Sequence, residues 1–204
     1  MAAVIQDAAG LRAGFGAPVL ESQACFSALM RALAFPGRVT QAPTLAEPPD
    51  GWPSALAAAA LTLLDADTPV WLDENARSPG AEAFLRFHTG APFAAKAGAA
   101  RFAILLDPRS ADFTDFDIGT DQYPDRSATV LIAVDALAGG PRSVLEGPGI
   151  KTSQQIAPKG GLSGLWEAWP RNRALYPLGF DAFLFAGDGV IGLPRSVKRT
   201  DQRD

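Results

Sequence analysis

Few residues of this 204-residue chain could act as a catalyst, and none stands in a recognisable catalytic pattern. His88 is the only histidine. A histidine that acts as a general base needs a nucleophile beside it, and no G-x-S-x-G sequence occurs to place a serine. We therefore expect His88 to bond a backbone group or a neighbouring chain and to hold a loop. It is kept as a candidate substrate-binding or interface residue, and no catalytic residue is assigned.

Several arginines border predicted elements and are candidates for binding an anion: Arg38, Arg86, Arg126 and Arg195. A planar guanidinium can bind phosphate or phosphonate through two parallel hydrogen bonds. Each of these arginines could equally pair with a carboxylate, and spacing alone does not decide between the two. We retain Arg38 and Arg126 as candidate substrate-binding or interface residues.

Two glycines, Gly147 and Gly149, flank a proline in a segment that superficially resembles a phosphate-binding loop. The segment does not match G-x-x-x-x-G-K-[ST], and its proline removes one amide donor from any anion nest. We predict a tight turn at the end of a strand, and we keep both glycines as candidate substrate-binding or interface residues. No G-x-G-x-x-G follows a predicted strand, so a Rossmann-type nucleotide site is not supported.

The most concentrated acidity of the chain is a group of aspartates at positions 115, 117, 121 and 125. Carboxylates at such spacing can bind a divalent cation, but the EF-hand pattern fails because no glutamate stands at its twelfth position. We favour an ordered, turn-rich loop with side-chain capping. Asp121 or Asp125 could pair with Arg126. No metal and no cofactor is predicted.

The composition is typical of an ordinary globular protein, with 48% hydrophobic and 20% charged residues and a formal net charge of −4. A basic stripe of the kind that binds nucleic acid is absent from the sequence. The single cysteine, Cys25, excludes an intrachain disulfide and a cysteine-based zinc site, and fits a cytoplasmic location. We read no signal peptide in residues 1–10. The apolar run at 55–64 is shorter than the ~20 residues that span a bilayer, so no membrane association is predicted.

Periodicity and the glycine and proline positions predict one α/β domain over residues 1–204, with a mixed β-sheet flanked by helices. The first predicted helix follows Pro18, and three further helices are predicted over residues 55–64, 81–88 and 162–174. Predicted strands cover residues 38–41, 69–72, 101–106 and 127–134, end near 144–145, and form a hairpin of 180–185 with 190–193. We expect residues 1–16 to form a loose arm and residues 195–204 an exposed tail.

The first predicted helix carries an apolar stripe that should face the core. Phe26, Leu29, Met30 and Leu33 fall at i, i+3, i+4 and i+7 and would share one face.

Two further helices carry local signals at one end. Ser54 is a good N-cap for the second helix, and Pro170 should kink or end the last one.

Several segments, in order and spread over nearly the whole chain, resemble the H subunit of the bacterial carbon–phosphorus lyase system. The most distinctive is the run Leu-Leu-Asp-Ala-Asp-Thr-Pro-Val-Trp-Leu at 63–72. The others are Pro36-Gly37-Arg38 and the segments 85–92, 119–129, 147–150, 176–181 and 193–196. One such motif would be weak evidence for the family, but seven segments in the same order are strong evidence.

The resemblance implies a subunit that joins the G, I and J subunits in a core complex and works with the L subunit. In that system a phosphonate attacks the ribose C1′ of ATP, adenine leaves, and a ribose 1-phosphonate 5-triphosphate forms. The resemblance also implies a fold like that of pyridoxal-phosphate-dependent transferases without the cofactor, and a homodimer when the partners are missing. The four lysines, Lys96, Lys151, Lys159 and Lys198, lie in or next to predicted loops and agree with the lack of a cofactor.

Two functions remain open at this point. The first is a non-catalytic or assisting subunit of the phosphonate enzyme, with no activity alone. The alternative is an independent enzyme or binding protein for a phosphonate or nucleotide, using a pocket near His88, Arg126 and the Gly147 turn. The ordered motifs favour the first.

Overall fold

The computed structural model describes residues 12–201. Residues 1–11 of the predicted arm and 202–204 of the predicted tail lie outside the described residues. The helices are α1 (Pro18–Ala34), α2 (Ser54–Leu63), α3 (Pro79–Thr89) and α4 (Ser163–Ala174). The strands are β1 (Thr40–Gln41), β2 (Val70–Leu72), β3 (Phe102–Leu105), β4 (Thr129–Ala133), β5 (Ser143–Glu146), β6 (Gln154–Ile156), β7 (Asp181–Ala186), β8 (Gly189–Leu193) and β9 (Lys198–Asp201).

The main sheet has the order β1-β8-β7-β4-β3-β2. Strands β2, β3, β4 and β7 are parallel to their neighbours in this series, whereas β8 pairs antiparallel with both β7 and β1. The α/β fold with a mixed sheet and flanking helices is therefore confirmed. The predicted hairpin is also confirmed, with Ala186 opposite Gly189 at its tip.

The central strands are buried on both faces because their sequences are continuously apolar. Alternate residues enter different clusters: Ile104 and Leu131 join the cluster that contains α2 and the buried side of α1, whereas Leu105 and Ile132 join the cluster that contains α4. The sheet is thus the middle of three layers. Residues at its ends and in its loops remain available to form sites.

The first layer packs α1, α2 and α3 against the sheet, and α2 is its centre. Residues Ala55, Leu56, Ala57, Ala58, Ala59 and Ala60 are all buried. The predicted N-cap is wrong: Ser54 is the first residue of α2, and its hydroxyl donates to the carbonyl of Leu45, 2.6 Å away, without capping the helix. The hydroxyl therefore ties the preceding loop to α2.

The opposite layer contains α4 and a small antiparallel sheet of order β6-β5-β9. The predicted exposed tail is wrong for the described residues up to 201, because β9 pairs with β5 and Val197 is fully buried. A charged segment can still form a strand, because the pairing uses main-chain hydrogen bonds. The Arg199 side chain of β9 also stacks over the ring of Trp166, with the guanidinium carbon 4.7 Å from the ring centroid. Helix α4 continues past Pro170 to Ala174.

The apolar stripe predicted for α1 is only partly correct. Cys25, Leu29 and Ala32 are the buried residues of the helix, whereas Phe26 and Met30 are about half exposed, at 50% and 51%. Helix α1 therefore has a second apolar side that the rest of the described chain does not cover.

None of the described helices is long and apolar enough to cross a membrane.

Candidate functional site

The structure brings two of the predicted site residues, Arg38 and Gly149, to the C-terminal end of α1, whereas a Cβ on Gly147 would lie 3.2 Å from the carbonyl oxygen of Ser196. Gly149 has a φ of +82°, and a Cβ at that position would lie 2.2 Å from the carbonyl oxygen of Ala34. Only glycine allows this approach. The predicted turn at a strand end is confirmed, because it directly follows β5.

Arg38 lines a cleft, which we call the Arg38 cleft. Its volume is about 520 Å³. Arg38 and Arg142 are its charged lining residues, and its lining contains no carboxylate among the described residues. Its apolar lining includes Leu137, Ile156 and Ile191. Both arginines are exposed, and neither has an ion pair within the described part of the chain.

Strand β6 forms one wall of the Arg38 cleft, and the segment before β1 forms another. Gly37 holds these walls close, because a Cβ there would lie 2.7 Å from Cγ of Gln154 and 3.0 Å from Cγ2 of Ile156. Its amide donates to the carbonyl of Gly192 in β8. Pro36-Gly37-Arg38 therefore ends α1 and also fixes the backbone from which the Arg38 side chain projects.

His88 lies elsewhere, near the C-terminus of α3. Its Nε2 is 3.0 Å from the carbonyl oxygen of Arg12, and a Cβ on Gly14 would lie 2.9 Å from its Cε1. The ring also packs edge-on against Phe84 and Phe87. His88 thus bonds a backbone group and holds the segment before α1, as predicted, and its contacts do not include Arg126 or the Gly147 turn.

Arg126 is exposed and stacks over the ring of Tyr123, with the guanidinium carbon 4.1 Å from the ring centroid. Within the described residues it has no ion pair with Asp121 or Asp125. The predicted capping of the loop is confirmed at Asp117, whose Oδ1 accepts the amide of Gly119 at 2.9 Å.

Arg195, expected in the exposed tail, instead joins segments that are distant in sequence. Its Nη2 donates to Oδ2 of Asp181 at 2.5 Å, and its backbone amide donates to Oδ1 of the same carboxylate at 2.7 Å. Its Nη1 donates to the carbonyl of Pro124 at 2.8 Å. Only 13% of the Arg195 side chain is exposed. We call this arrangement the Arg195 junction, and its contacts make it a structural link.

The uncovered side of α1 is the largest departure from the predicted core. Val19 and Leu20 are 81% and 72% exposed, and Phe26, Met30 and the following Phe35 are also exposed. We call these five residues the α1 stripe. Of all the exposed residues in α1, Arg31 alone is charged. Apolar area depleted of charge is typical of the centre of a protein interface.

A second cleft, which we call the Trp71 cleft, lies at the other edge of the main sheet. Its volume is about 760 Å³, and its charged lining residues are Lys96, Asp112 and Asp115. Trp71 and Phe116 provide aromatic walls, with ring centroids 6.3 Å apart. Its carboxylates outnumber its cations, in contrast to the Arg38 cleft.

A buried carboxylate anchors the segment that leads into the Trp71 cleft. Asp73 is only 2% exposed, and its two oxygens accept the amides of Ala76 at 2.6 Å and Asp107 at 2.8 Å. Burial raises the pKa of Asp73, and these hydrogen bonds offset part of that effect. The hydrogen bond from Arg109 lowers the pKa of the Asp107 carboxyl.

The described residues contain no group of three or more histidine, cysteine, aspartate or glutamate side chains placed to hold a metal ion. All four lysines are exposed. A pyridoxal Schiff base requires a lysine inside a formed pocket. Lys96 lines the Trp71 cleft, but the other charged lining residues there, Asp112 and Asp115, would repel the phosphate of the cofactor. The remaining three lysines line neither of the two clefts.

Sequence reasoning missed Arg142 and the outward side of α1. Arg142 carries the signal that selected Arg38, a basic residue beside a glycine–proline break and a strand. The outward side of α1 had no such signal, because two apolar stripes overlap on one helix.

Comparison with known proteins finds matches over most of the chain. A family model described as "Bacterial phosphonate metabolism protein (PhnH)" matches residues 13–200. The chain is 41% identical over 185 residues to "Alpha-D-ribose 1-methylphosphonate 5-triphosphate synthase subunit PhnH" of Rhizobium meliloti (strain 1021), covering 90% of this chain and 92% of that protein. It is 31% identical over 175 residues to "Putative C-P lyase subunit protein HtxG" of Stutzerimonas stutzeri, covering 86% and 84% of the two chains.

Proposed function

The chain belongs to the PhnH family of bacterial phosphonate metabolism proteins, and we propose that it serves as a subunit of a carbon–phosphorus lyase enzyme. The enzyme would make α-D-ribose 1-methylphosphonate 5-triphosphate from ATP and methylphosphonate, with release of adenine. The names of the two relatives described above support this, since one is a synthase subunit and the other a putative C-P lyase subunit. The partners would be the G, I and J subunits, together with the L subunit. The location would be the cytoplasm.

The observation that carries a subunit role is the α1 stripe. Val19 and Leu20 are more than two-thirds exposed, and Phe26 and Met30 are half exposed along the same helix. An exposed apolar surface of this kind is stabilised when another protein covers it. We propose that one of the partner subunits covers the α1 stripe in the assembled enzyme. The homodimer expected of the chain alone would use the same side of α1.

Co-expression with the G, I and J subunits tests this role. Phe26→Glu places a charge in the centre of the α1 stripe, where docking would bury it without a partner. The variant should be lost from the purified complex, and the isolated chain should become monomeric in sedimentation analysis. Phe87→Glu is the matched control, because Phe87 is 65% exposed on α3 and the added charge is the same.

Two outcomes would contradict this assignment. A Phe26→Glu chain that still enters the complex in full amount would show that docking uses another surface. Loss of both variants from the complex would show that the effect is not specific to α1.

We further propose that the fold is related to that of pyridoxal-phosphate-dependent transferases, but without the cofactor. A mixed sheet with helices on both faces supports it, and the exposure of the four lysines supports a protein without the cofactor. We expect no Schiff-base absorbance when the purified chain is mixed with pyridoxal phosphate. A stoichiometric band that borohydride reduction fixes on one lysine would contradict this.

A further inference from the structure

The Arg38 cleft concentrates positive charge in a protein whose formal net charge is −4. Arg38 and Arg142 line it together, and no carboxylate of the described residues shares the lining. Some other exposed arginines of the described chain do have a carboxylate partner, as Arg77 has in Glu82 at 2.8 Å. The two cationic groups of this cleft therefore lack a counterion from the described chain.

The cleft is built on fixed backbone. Gly37 is held between β8 and β6, and Gly149 seats the neighbouring turn on the end of α1. The guanidinium of Arg38 also stacks on the ring of Phe35, 5.4 Å from its centroid. The backbone on which Arg38 stands is therefore held in place, so less entropy would be lost from the backbone when a ligand binds.

The remaining lining is amphipathic. Leu137, Ile156 and Ile191 offer apolar surface, and Gln154 and Gln155 of β6 offer amide groups. Strand β6 is an edge strand of the small sheet. A volume of about 520 Å³ lies within the ordinary range for small-molecule sites.

We propose that the Arg38 cleft binds a small molecule that carries a phosphonate or phosphate-monoester group, with its organic part against Leu137, Ile156 and Ile191. Two guanidinium groups match a dianion better than a singly charged carboxylate. A phosphate monoester carries about 1.5 to 2 negative charges near pH 7, with three acceptor oxygens for the guanidinium forks. The binding of a phosphorus oxyanion is argued from the charge and shape of the cleft, and the choice of a phosphonate among such ligands rests on the proposed function.

Calorimetric titration of the full chain tests the proposal with defined probes. Phenylphosphonate and phenyl phosphate distinguish a carbon-linked from an ester-linked group, and benzoate offers the same ring with a single charge. We expect both phosphorus compounds to bind, and benzoate to bind about tenfold more weakly or not at all. In NMR spectra, the amide signals of residues 154–157 should shift on binding.

Charge-removing variants locate the site. Arg38→Gln and Arg142→Gln should each weaken binding about tenfold or more, since hydrogen bonds between charged groups are the strong ones. Arg86→Gln removes the same charge from an exposed position on α3 and should leave binding unchanged.

Two results would overturn the proposal. One is the absence of phenylphosphonate and phenyl phosphate binding by the folded chain. The other is binding that Arg38→Gln and Arg142→Gln leave unaltered. Neither result bears on assembly with partner subunits, which the Phe26→Glu experiment tests separately.

Discussion

The Arg38 cleft and the Trp71 cleft are both large enough for a small molecule, but their charges are opposite. The first has two arginines and no carboxylate in its described lining, whereas the second has one lysine and two aspartates. They are also held differently. Gly149 seats the turn beside the Arg38 cleft on α1, and the buried Asp73 anchors the segment that enters the Trp71 cleft. Volume alone therefore does not identify a ligand, and the two clefts should differ in the charge of the ligand that they bind.

The largest effect should come from filling the space at Gly149. Gly149→Ala adds a Cβ only 2.2 Å from the Ala34 carbonyl oxygen, at a φ of +82°. We expect a loss of about 3 kcal/mol or more in unfolding free energy, from overpacking together with left-handed strain. Urea denaturation measures it, and phenylphosphonate affinity should fall as well.

Gly139→Ala is the matched control for that change. Gly139 has a similar φ of +85°, but a Cβ there would meet nothing within 4 Å. Only the backbone strain should remain, about 1 kcal/mol. Equal losses in the two variants would show that the close approach to α1 contributes nothing.

Breaking the anchor of the Trp71 cleft should have a smaller effect. Asp73→Asn leaves a donor facing one of the two amides that now donate to the carboxylate, Ala76 or Asp107. We expect a loss of about 1 to 2 kcal/mol at pH 7, measured by urea denaturation. Binding of phenylphosphonate in the Arg38 cleft should not change.

The same variant should also alter the dependence of stability on pH. Because the folded pKa of Asp73 is raised, the native state holds this proton more tightly than the unfolded state. Its contribution is therefore fully present below the unfolded pKa of about 4, and is lost as the pH rises through the folded pKa. The difference in stability between wild type and Asp73→Asn should shrink over that range. A constant difference would contradict the role of the buried carboxyl.

The smallest effects separate charge from hydrogen-bond geometry in the Arg38 cleft. Arg142→Lys keeps the charge but loses the planar fork, and we expect phenylphosphonate to bind about threefold to tenfold more weakly by calorimetry. Lys96→Gln in the Trp71 cleft should leave that affinity unchanged. If Lys96→Gln weakened binding more than Arg142→Lys, the anion would be bound in the Trp71 cleft instead.

The central strands and the hairpin were predictable because their signals are local. Strand β4 has a continuous apolar run, and Gly187-Asp188-Gly189 marks the turn between β7 and β8. Strand β6 is short and polar, and β9 is charged, so neither has the composition from which a buried strand is inferred. Their pairing with β5 is set by tertiary contacts that no local pattern records.

The candidate sites were predictable only in part. Arg38 followed from its place after a proline–glycine break, and the structural role of His88 followed from the lack of a nearby nucleophile. The outward side of α1 did not follow, because periodicity shows that Phe26 and Leu29 lie near one another on a helix but not which of them the sheet will bury. The ion pair of Arg195 did not follow either, because its partner Asp181 begins β7, whereas Arg195 lies in the turn after β8.

Adenine release from ATP and methylphosphonate tests the central claim, that this chain works as a subunit of the phosphonate enzyme, most directly. Three reactions would be compared. The first contains the G, I and L subunits with the chain, the second contains these subunits without the chain, and the third contains the chain alone. We predict release only when the chain and its partners are combined, with Phe26→Glu failing to restore it and Phe87→Glu restoring it. Release at the full rate without the chain, or by the chain alone, would contradict the claim.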